Sequence, residues 1–504
     1  MKILSNINIS KKNIFFLLFG SSLAFFGYKT LKIYLLRQKY RHIPGPKTKG
    51  LLGFYLGNVI EIKNLPKNKI FPDLVVEWIK EHGHVIKFQI VDKMVVFTIN
   101  PETIRDVFIA HNFSKHPHVY SIFGFPLGIR FLGNGLVTDL DNERWRYRRN
   151  LFNPSFHKQA LMTFLHEFNN KSDALMTKLR SKAEKEEEVF ILDEANNMTM
   201  DVIASVGFSM EIDSINYDNN LKGYVFKALE GFNKILFNPF LRFSISGWSY
   251  IKNYKRIIKN LRDLGRFQIL KRIESIKDGS YVSDDLITLM LRNNQNEEFE
   301  IEDLIDDFVS LFIAGQETTA NLIAQVVLEV GQKPEILKKI KKEIEEEIGF
   351  KTDLKYEDLN KLKYLNCVVK ETLRKWSIVP FLSRKADVAL NILGFDIPKG
   401  SNIQVSSYVS GNCEEFFKNP KEFDPDRFLN EKNETKNYTY FPFSLGARNC
   451  LGQNFAQIEA KVCLTKFFQN FDFELNSEQS FYPAQHSTIS PAGRTKCKLS
   501  IKSL

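Results

Sequence analysis

The first fifty residues contain no aspartate and no glutamate, yet they hold ten cations: Lys2, Lys11, Lys12, Lys29, Lys32, Arg37, Lys39, Arg41, Lys47 and Lys49. The whole 504-residue chain has 70 Lys and Arg against 59 Asp and Glu, so without those ten the remainder carries 60 against 59. The net charge of +11 therefore belongs to the N-terminus. A near-neutral body lacks the basic surface that nucleic-acid binding needs. Cysteine is scarce, with five residues at scattered spacing. That odd number excludes a disulfide scaffold and fits a reducing compartment. No CxxC or HxxxH pattern accompanies them, which argues against an ordinary zinc site. There is no Gly-rich dinucleotide loop, no internal repeat, no low-complexity tract and no polar linker across residues 50–504. One large domain is expected, with any redox electrons supplied from outside it.

The uncharged run from Asn13 to Tyr28 falls short of the ~20 residues that span a bilayer. Lys29 and Lys32 can snorkel, and Leu31, Ile33, Leu35 and Leu36 extend the apolar surface. No small-residue cleavage site follows, so residues 1–42 are expected to be a retained membrane anchor. Seven cations follow the run and three precede it, which places the body, 43–504, on the cytosolic side. "HIPGP" reads as a stiff hinge.

The body is expected to be mainly helical with small β regions toward its two ends, an α+β chain. "HVIKFQIVDKMVVFTIN" carries a hairpin signal. From about Glu143 to Ser377 apolar residues recur at helical spacing. "NILGFDIPKGSNIQVSSYVSG" and the last thirty residues read as short strands.

Residues 443–452 read "FSLGARNCLG" and place Cys450 directly before a helix. Three uses are open to it. A buried thiol needs no special neighbours. A nucleophile wants a histidine base, and the closest in sequence is His486. A metal ligand needs its thiolate stabilised, which a helix N-terminus supplies. Around it, Gly446 and Gly452 can let backbone approach a flat ligand, Phe443 can cover the sulfur, and Arg448 can pair with an acid. One axial thiolate suits haem iron.

The loop matches F-x-x-G-x-R-x-C-x-G and resembles the haem-binding loop of the cytochrome P-450 superfamily, the haem-thiolate monooxygenases. That resemblance implies a single P-450-type haem domain with Cys450 as axial iron ligand. It also gives roles to other residues in chain order. "RWRYRR" offers Trp145 and Arg149 as haem-propionate contacts. In "AGQETT", Ala314 and Gly315 would leave room over the iron, Thr318 would donate to dioxygen and Glu317 would relay protons. "ETLR" with "FDPDRF" resembles the structural set Glu371, Arg374 and Arg427. Arg384 resembles a further propionate ligand. The implied cofactor is haem b, with NADPH electrons arriving through a membrane diflavin reductase. The implied location is the endoplasmic-reticulum membrane, with a lipophilic substrate. "YRHIPGP", "LGNGLVTDLDNERW" and "YTYFPFSLGARNCLGQNFAQIEAKV" are similar to the cholesterol 24-hydroxylase family, which implies sterol side-chain hydroxylation. Fatty-acid or xenobiotic hydroxylation and a non-oxygenating isomerase are the alternatives. In "RKWSIVPF" the proline falls late, at Pro380. "HVYSIFGFPLGIRFLG" is the expected mobile roof of the pocket.

Overall fold

The structure, a computed structural model, describes residues 11–238, 241–293, 300–429 and 438–502. Nine helices organise the functional region: α1 Lys11–Lys39, α2 Pro117–Gly124, α3 Asn142–Phe152, α4 Ile191–Phe208, α5 Asn220–Phe237, α6 Ile245–Lys277, α7 Ile301–Gly331, α8 Lys363–Trp376 and α9 Gln453–Asn470. Glu302 and Asp303 sit in the first turn of α7, where the helix dipole favours them. Beyond that turn α7 is buried on most of its faces, and it runs against α4, α6, α8 and α9. An apolar helix without a solvated side forms the centre of a large helical domain. Part of the chain's heavy Phe content goes here: Phe208 stacks on Phe312 at 4.9 Å between ring centroids, with Phe308 at 4.5 and 4.7 Å.

The β structure is small and lies where the sequence expects it, with one addition. β1 Val85–Ile90 and β2 Lys93–Thr98 form the hairpin, turning at Val91, whose φ is 53°. β3 is Glu188–Phe190, a strand hidden between helices. β4 Leu382–Lys385, β5 Leu390–Ile392, β6 Phe395–Ile397 and β7 Asn402–Val405 follow. The main sheet has the order β1-β2-β7-β4, with only β2/β7 parallel. β8 Phe471–Leu475, β9 Pro483–Gln485, β10 Ile489–Pro491 and β11 Lys496–Ile501 complete the chain. β11 pairs with both β3 and β8, so the C-terminus closes a sheet with the middle of the chain. "SYVSG", expected as strand, is a short buried helix capped by the Ser406 hydroxyl.

No helix among the described residues is long and apolar enough to cross a membrane. The transmembrane helix expected at the N-terminus is therefore not established. The second half of α1 belongs to the body instead. Ile33 and Tyr40 are buried, Lys29 and Lys32 pair with Asp92, and Arg37 bonds Gln89, Thr48 and the Gly53 carbonyl. After α1 the Pro-rich segment lies against β1: the Lys87 amide donates to the Pro44 carbonyl at 2.8 Å.

Candidate functional site

Cys450 sits in the tight loop that enters α9. Its backbone N–H donates to the Phe443 carbonyl at 2.8 Å, which closes the loop on itself. Gly446 has φ 71°, and a Cβ there would meet the Phe108 carbonyl at 2.0 Å. Its smallness thus serves packing against residue 108. Gly452 is the N-cap of α9, and no atom lies within 4 Å of where its Cβ would be. The Gly452 N–H points at the Cys450 sulfur, and Arg149 and Lys115 act in the same direction. Burial outweighs all three and pushes the thiol up. The helix N-terminus alone therefore does not make a free thiolate here, and a metal would be needed to hold one. Cys450 nevertheless presents exposed surface, although protein surrounds it.

Arg149 is committed within the chain. It donates to Asn153 and to the carbonyl and side chain of Asn449 at 2.8–2.9 Å, bracing the residue next to Cys450. Arg448 donates to the Asp139 carbonyl at 2.9 Å and to Asn142 at 2.7 Å, and its guanidinium lies over the Trp145 ring. Burial and the neighbouring Arg384 push Arg448 down to about 10. Arg384, on β4, is 2% exposed; it lies over Phe108 and bonds the Ser383 carbonyl and the Tyr120 hydroxyl.

Sequence reasoning missed Lys115. It is buried, lies over the Tyr120 ring and donates to the Val137 carbonyl at 2.5 Å. An isolated bridge joins it to Arg384. Burial pushes its ammonium well down, and Arg384, Arg448 and Arg149 push the same way. Asp139 opposes them, but that carboxylate is already paired with Arg144 and Arg148 at 2.8 Å. Lys115, Arg149, Arg384 and Arg448 thus form a buried cluster with excess positive charge beside the thiol. Such an arrangement is costly unless anions meet it. One soft thiolate donor with several cations to its side fits a metal macrocycle carrying carboxylates, as haem b does. No signal in the sequence separates Lys115 from a surface lysine, since its role arises from the bridge to β4.

On α7 the Thr318 hydroxyl donates to the Ala314 carbonyl at 2.7 Å, the back-bond that Thr forms in a helix interior. Ala314 is exposed although its helix is otherwise buried. A Cβ at Gly315 would crowd Ile203 of α4 at 3.0 Å, so its smallness admits α4. Burial pushes the Glu317 carboxyl up, and the Thr488 hydroxyl, 2.7 Å away, pulls it back.

Glu371, Arg374 and Arg427 come together. Arg374 grips Glu371 through two bonds of 2.7 and 2.8 Å, and Arg427 adds a third at 3.2 Å. Glu371 also accepts the Asp424 N–H at 2.9 Å, and Arg374 donates to the Gly411 and Glu422 carbonyls. Both Glu371 and Arg374 are fully buried.

The expected roof is tied to α7 at its C-terminal end and through the residues that follow it. Arg130 pairs with Asp306 of α7 at 2.8 Å, the Asn134 N–H donates to Asp306 at 2.7 Å, and the Leu136 N–H to Asp307 at 2.9 Å. Ile122, Phe125 and Leu127, nearer α2, are exposed.

The family model described as Cytochrome P450 matches residues 46–499. Cytochrome P450 3A11 of Mus musculus is 30% identical over 86% of this chain and 86% of its own length. Secologanin synthase 2 of Catharanthus roseus is 30% identical over 79% of this chain and 76% of its own. Cytochrome P450 4d2 of Drosophila melanogaster is 25% identical over 85% and 88%. With a family model spanning almost the whole body and relatives covering most of both chains, this chain belongs to the cytochrome P450 family of haem-dependent monooxygenases.

Proposed function

We propose that this oxidoreductase hydroxylates a rigid, lipophilic substrate, with a sterol side chain as the first candidate. The observation that carries the reading is the buried cation cluster at Lys115, Arg149, Arg384 and Arg448 beside Cys450, together with the Glu317–Thr318 pair on α7. Haem bound through Cys450 supplies the oxygen activation and C–H oxidation that no side chain can perform. Arg384, Lys115 and Arg448 would hold its carboxylates. Trp145 and Arg149 act one step back, through Arg448 and Asn449. Ala314, small and exposed on α7, would leave room on the distal side for oxygen and substrate. The Thr318 hydroxyl spends its one proton on the Ala314 carbonyl, so it would donate there only by turning away from that carbonyl. Glu317, whose carboxyl burial pushes up, would be the group that passes a proton inward. A fatty acid or drug-like molecule is the second reading, because the names of the relatives point to no sterol.

The membrane reading is part of the same proposal. The apolar run of α1 is continued by exposed Leu31, Tyr34 and Leu35, and Phe237, Phe243, Ile245 and Trp248 are exposed around the α5–α6 connection. Large unpartnered apolar surface is suited to a lipid interface. We place the protein on the endoplasmic-reticulum membrane with residues 43–504 facing the cytosol, served there by an NADPH-dependent diflavin reductase.

The test is a haem spin-state titration of the purified holoenzyme with cholesterol, lauric acid and a drug-like amide, followed by product analysis with reductase and NADPH. Cholesterol should shift the spectrum and yield a side-chain alcohol. A response to lauric acid alone replaces the sterol assignment. Cys450→Ala should remove the red-shifted Soret band of the reduced carbon-monoxide complex; its survival would sink the thiolate assignment.

A further inference from the structure

Three polar side chains one turn apart on α7 face the same short stretch of the C-terminal region. Glu317, Asn321 and Gln325 follow an i, i+4, i+8 spacing, which puts them on one face of the helix. Asn321 donates to the Thr488 hydroxyl at 3.2 Å, that hydroxyl donates to Glu317 at 2.7 Å, and Gln325 donates to the Ile489 carbonyl at 2.9 Å. Asn321, Gln325 and Thr488 are all buried. The stretch is also fixed from behind. Its Ser487 N–H donates to Asn233 of α5 at 2.9 Å, and its Ile489 N–H to the Ile378 carbonyl at 2.8 Å.

The direction of the central bond follows from counting. A threonine hydroxyl has one proton and two lone pairs. The Asn321 amide occupies a lone pair, so the single proton is free to go to Glu317. A carboxyl that receives a hydroxyl donor in a dry site has its charged form favoured and its rotamer set.

We propose that Thr488 is a positioning residue for the proton-relaying carboxyl: its hydroxyl fixes the orientation of Glu317 and sets how readily that group gives up its proton. This rests on the reading of Glu317 as a proton relay. No charged neighbour competes for the role, because burial and the Thr488 hydroxyl alone act on Glu317. The titratable groups on the packed elements are occupied elsewhere. Asp201 of α4 takes the Ser214 and Ile215 N–H groups, Arg262 of α6 pairs with Asp306, and Lys375 of α8 pairs with Glu329. Glu459 of α9 faces Thr319 with neither oxygen hydrogen-bonded among the described residues, and burial pushes the His486 imidazolium, two residues from Thr488, down. α5 contributes the uncharged Asn233.

The experiment is a pH titration of the ferric holoenzyme by infrared difference spectroscopy, with the Glu317 carboxylic-acid band identified by its loss in Glu317→Gln. Thr488→Val should move the midpoint upward by about 1–2 pH units, the range expected for losing one hydrogen bond to a charged group. Thr488→Ser should restore it. Thr488→Ala carries the same comparison if the valine variant folds poorly. An unchanged midpoint in the valine or alanine variant overturns the proposal. A second measurement separates it from the reading beneath it: the solvent isotope effect on NADPH oxidation with reductase. If Glu317→Gln leaves that effect unchanged while Thr488→Val still moves the band, Thr488 positions Glu317 but Glu317 is no relay.

Discussion

The Arg448 guanidinium lies over the Trp145 indole, 3.7 Å from the ring centroid. The ring covers a cation that also bonds Asp139 and Asn142, so it fixes the plane in which Arg448 can meet a carboxylate. A cation–π contact of this kind contributes ~0.5–2 kcal/mol. Trp145→Ala should lower haem retention and melting temperature, and Trp145→Phe should recover part of both. Haem release into apomyoglobin measures the first, and equal release from all three proteins would remove the ring from haem holding.

Glu371 accepts from two arginines in a fully buried setting, and among the described residues Arg374 pairs with no other carboxylate. Removing one partner of a buried pair costs ~3–5 kcal/mol because the remaining charge stays unmet. Glu371→Gln should therefore collapse the yield of folded, haem-loaded protein. Glu371→Asp should fare only a little better, since the shorter acid cannot reach both guanidinium groups. Normal expression and melting of Glu371→Gln would show that the set is dispensable.

Thr318 donates back to its own helix at Ala314. Thr318→Ala should keep haem and substrate binding while diverting NADPH electrons into hydrogen peroxide. A positioned proton donor is worth ~10²–10⁴-fold in such steps, less where water substitutes. Thr318→Ser should preserve coupling. Product and peroxide per NADPH are the quantities to compare, and an unaltered ratio in the alanine variant counts Thr318 out.

Which parts of this arrangement were legible in the sequence follows from how local each signal is. The Cys450 loop, the polar pair inside the apolar α7 and the E-x-x-R spacing are set within a few residues, so sequence reveals them. The hairpin at β1–β2 is legible for the same reason. Lys115 and Thr488 are not, because each acquires its role from a partner more than 160 residues away, at Arg384 and Glu317. β3 is hidden because only its pairing with β11 makes it a strand. Gly446 and Gly315 were legible as small residues, but what they make room for, Phe108 and Ile203, is decided by packing. The roof segment reads as loose from its Gly and Pro content, while Asp306 and Asp307 on a distant helix tie its C-terminal end and the residues that follow it.

Asp307 is buried and accepts from Arg148 and the Leu136 N–H, yet burial still pushes its carboxyl up to about 7. A carboxyl raised on folding binds its proton more tightly in the native state than in the unfolded one. Its contribution to stability is then present below the unfolded value, near 4, and is lost as pH rises through about 7. Asp307→Asn should remove that part of the pH dependence, so the wild-type minus variant difference in unfolding free energy should fall between those limits. Urea unfolding at several pH values measures it, and a flat difference would mean that Arg148 keeps Asp307 charged throughout.

The division of the chain at residue 42 is a proposal that the contacts of α1 allow to be tested by two truncations. Residues before Lys29 include the apolar run and reach the body at Phe26, whose ring lies 5.1 Å from Tyr55. From Lys29 onward the helix is tied down. Asp92 holds Lys29 and Lys32, and Arg37 makes four bonds, to Gln89, Thr48 and the carbonyls of Gly53 and Phe54. Ile33 is buried, and the Tyr40 hydroxyl meets Ser401 at 2.7 Å. Removing residues 1–28 should reduce sedimentation with lipid vesicles and leave the melting temperature nearly unchanged. Removing residues 1–42 should reduce sedimentation no further but destabilise the body by ~3–5 kcal/mol, from lost burial of Ile33 and Tyr40 and the unmet partners of Arg37. Both proteins should still bind haem, since no residue of the Cys450 cluster lies in the removed segment. If the two truncates melt alike, the tail of α1 is a passive spacer and the boundary at 42 stands. If the shorter truncation alone leaves vesicle binding intact, the apolar run is not what holds the protein to lipid, and the exposed residues around Trp248 become the surface to mutate.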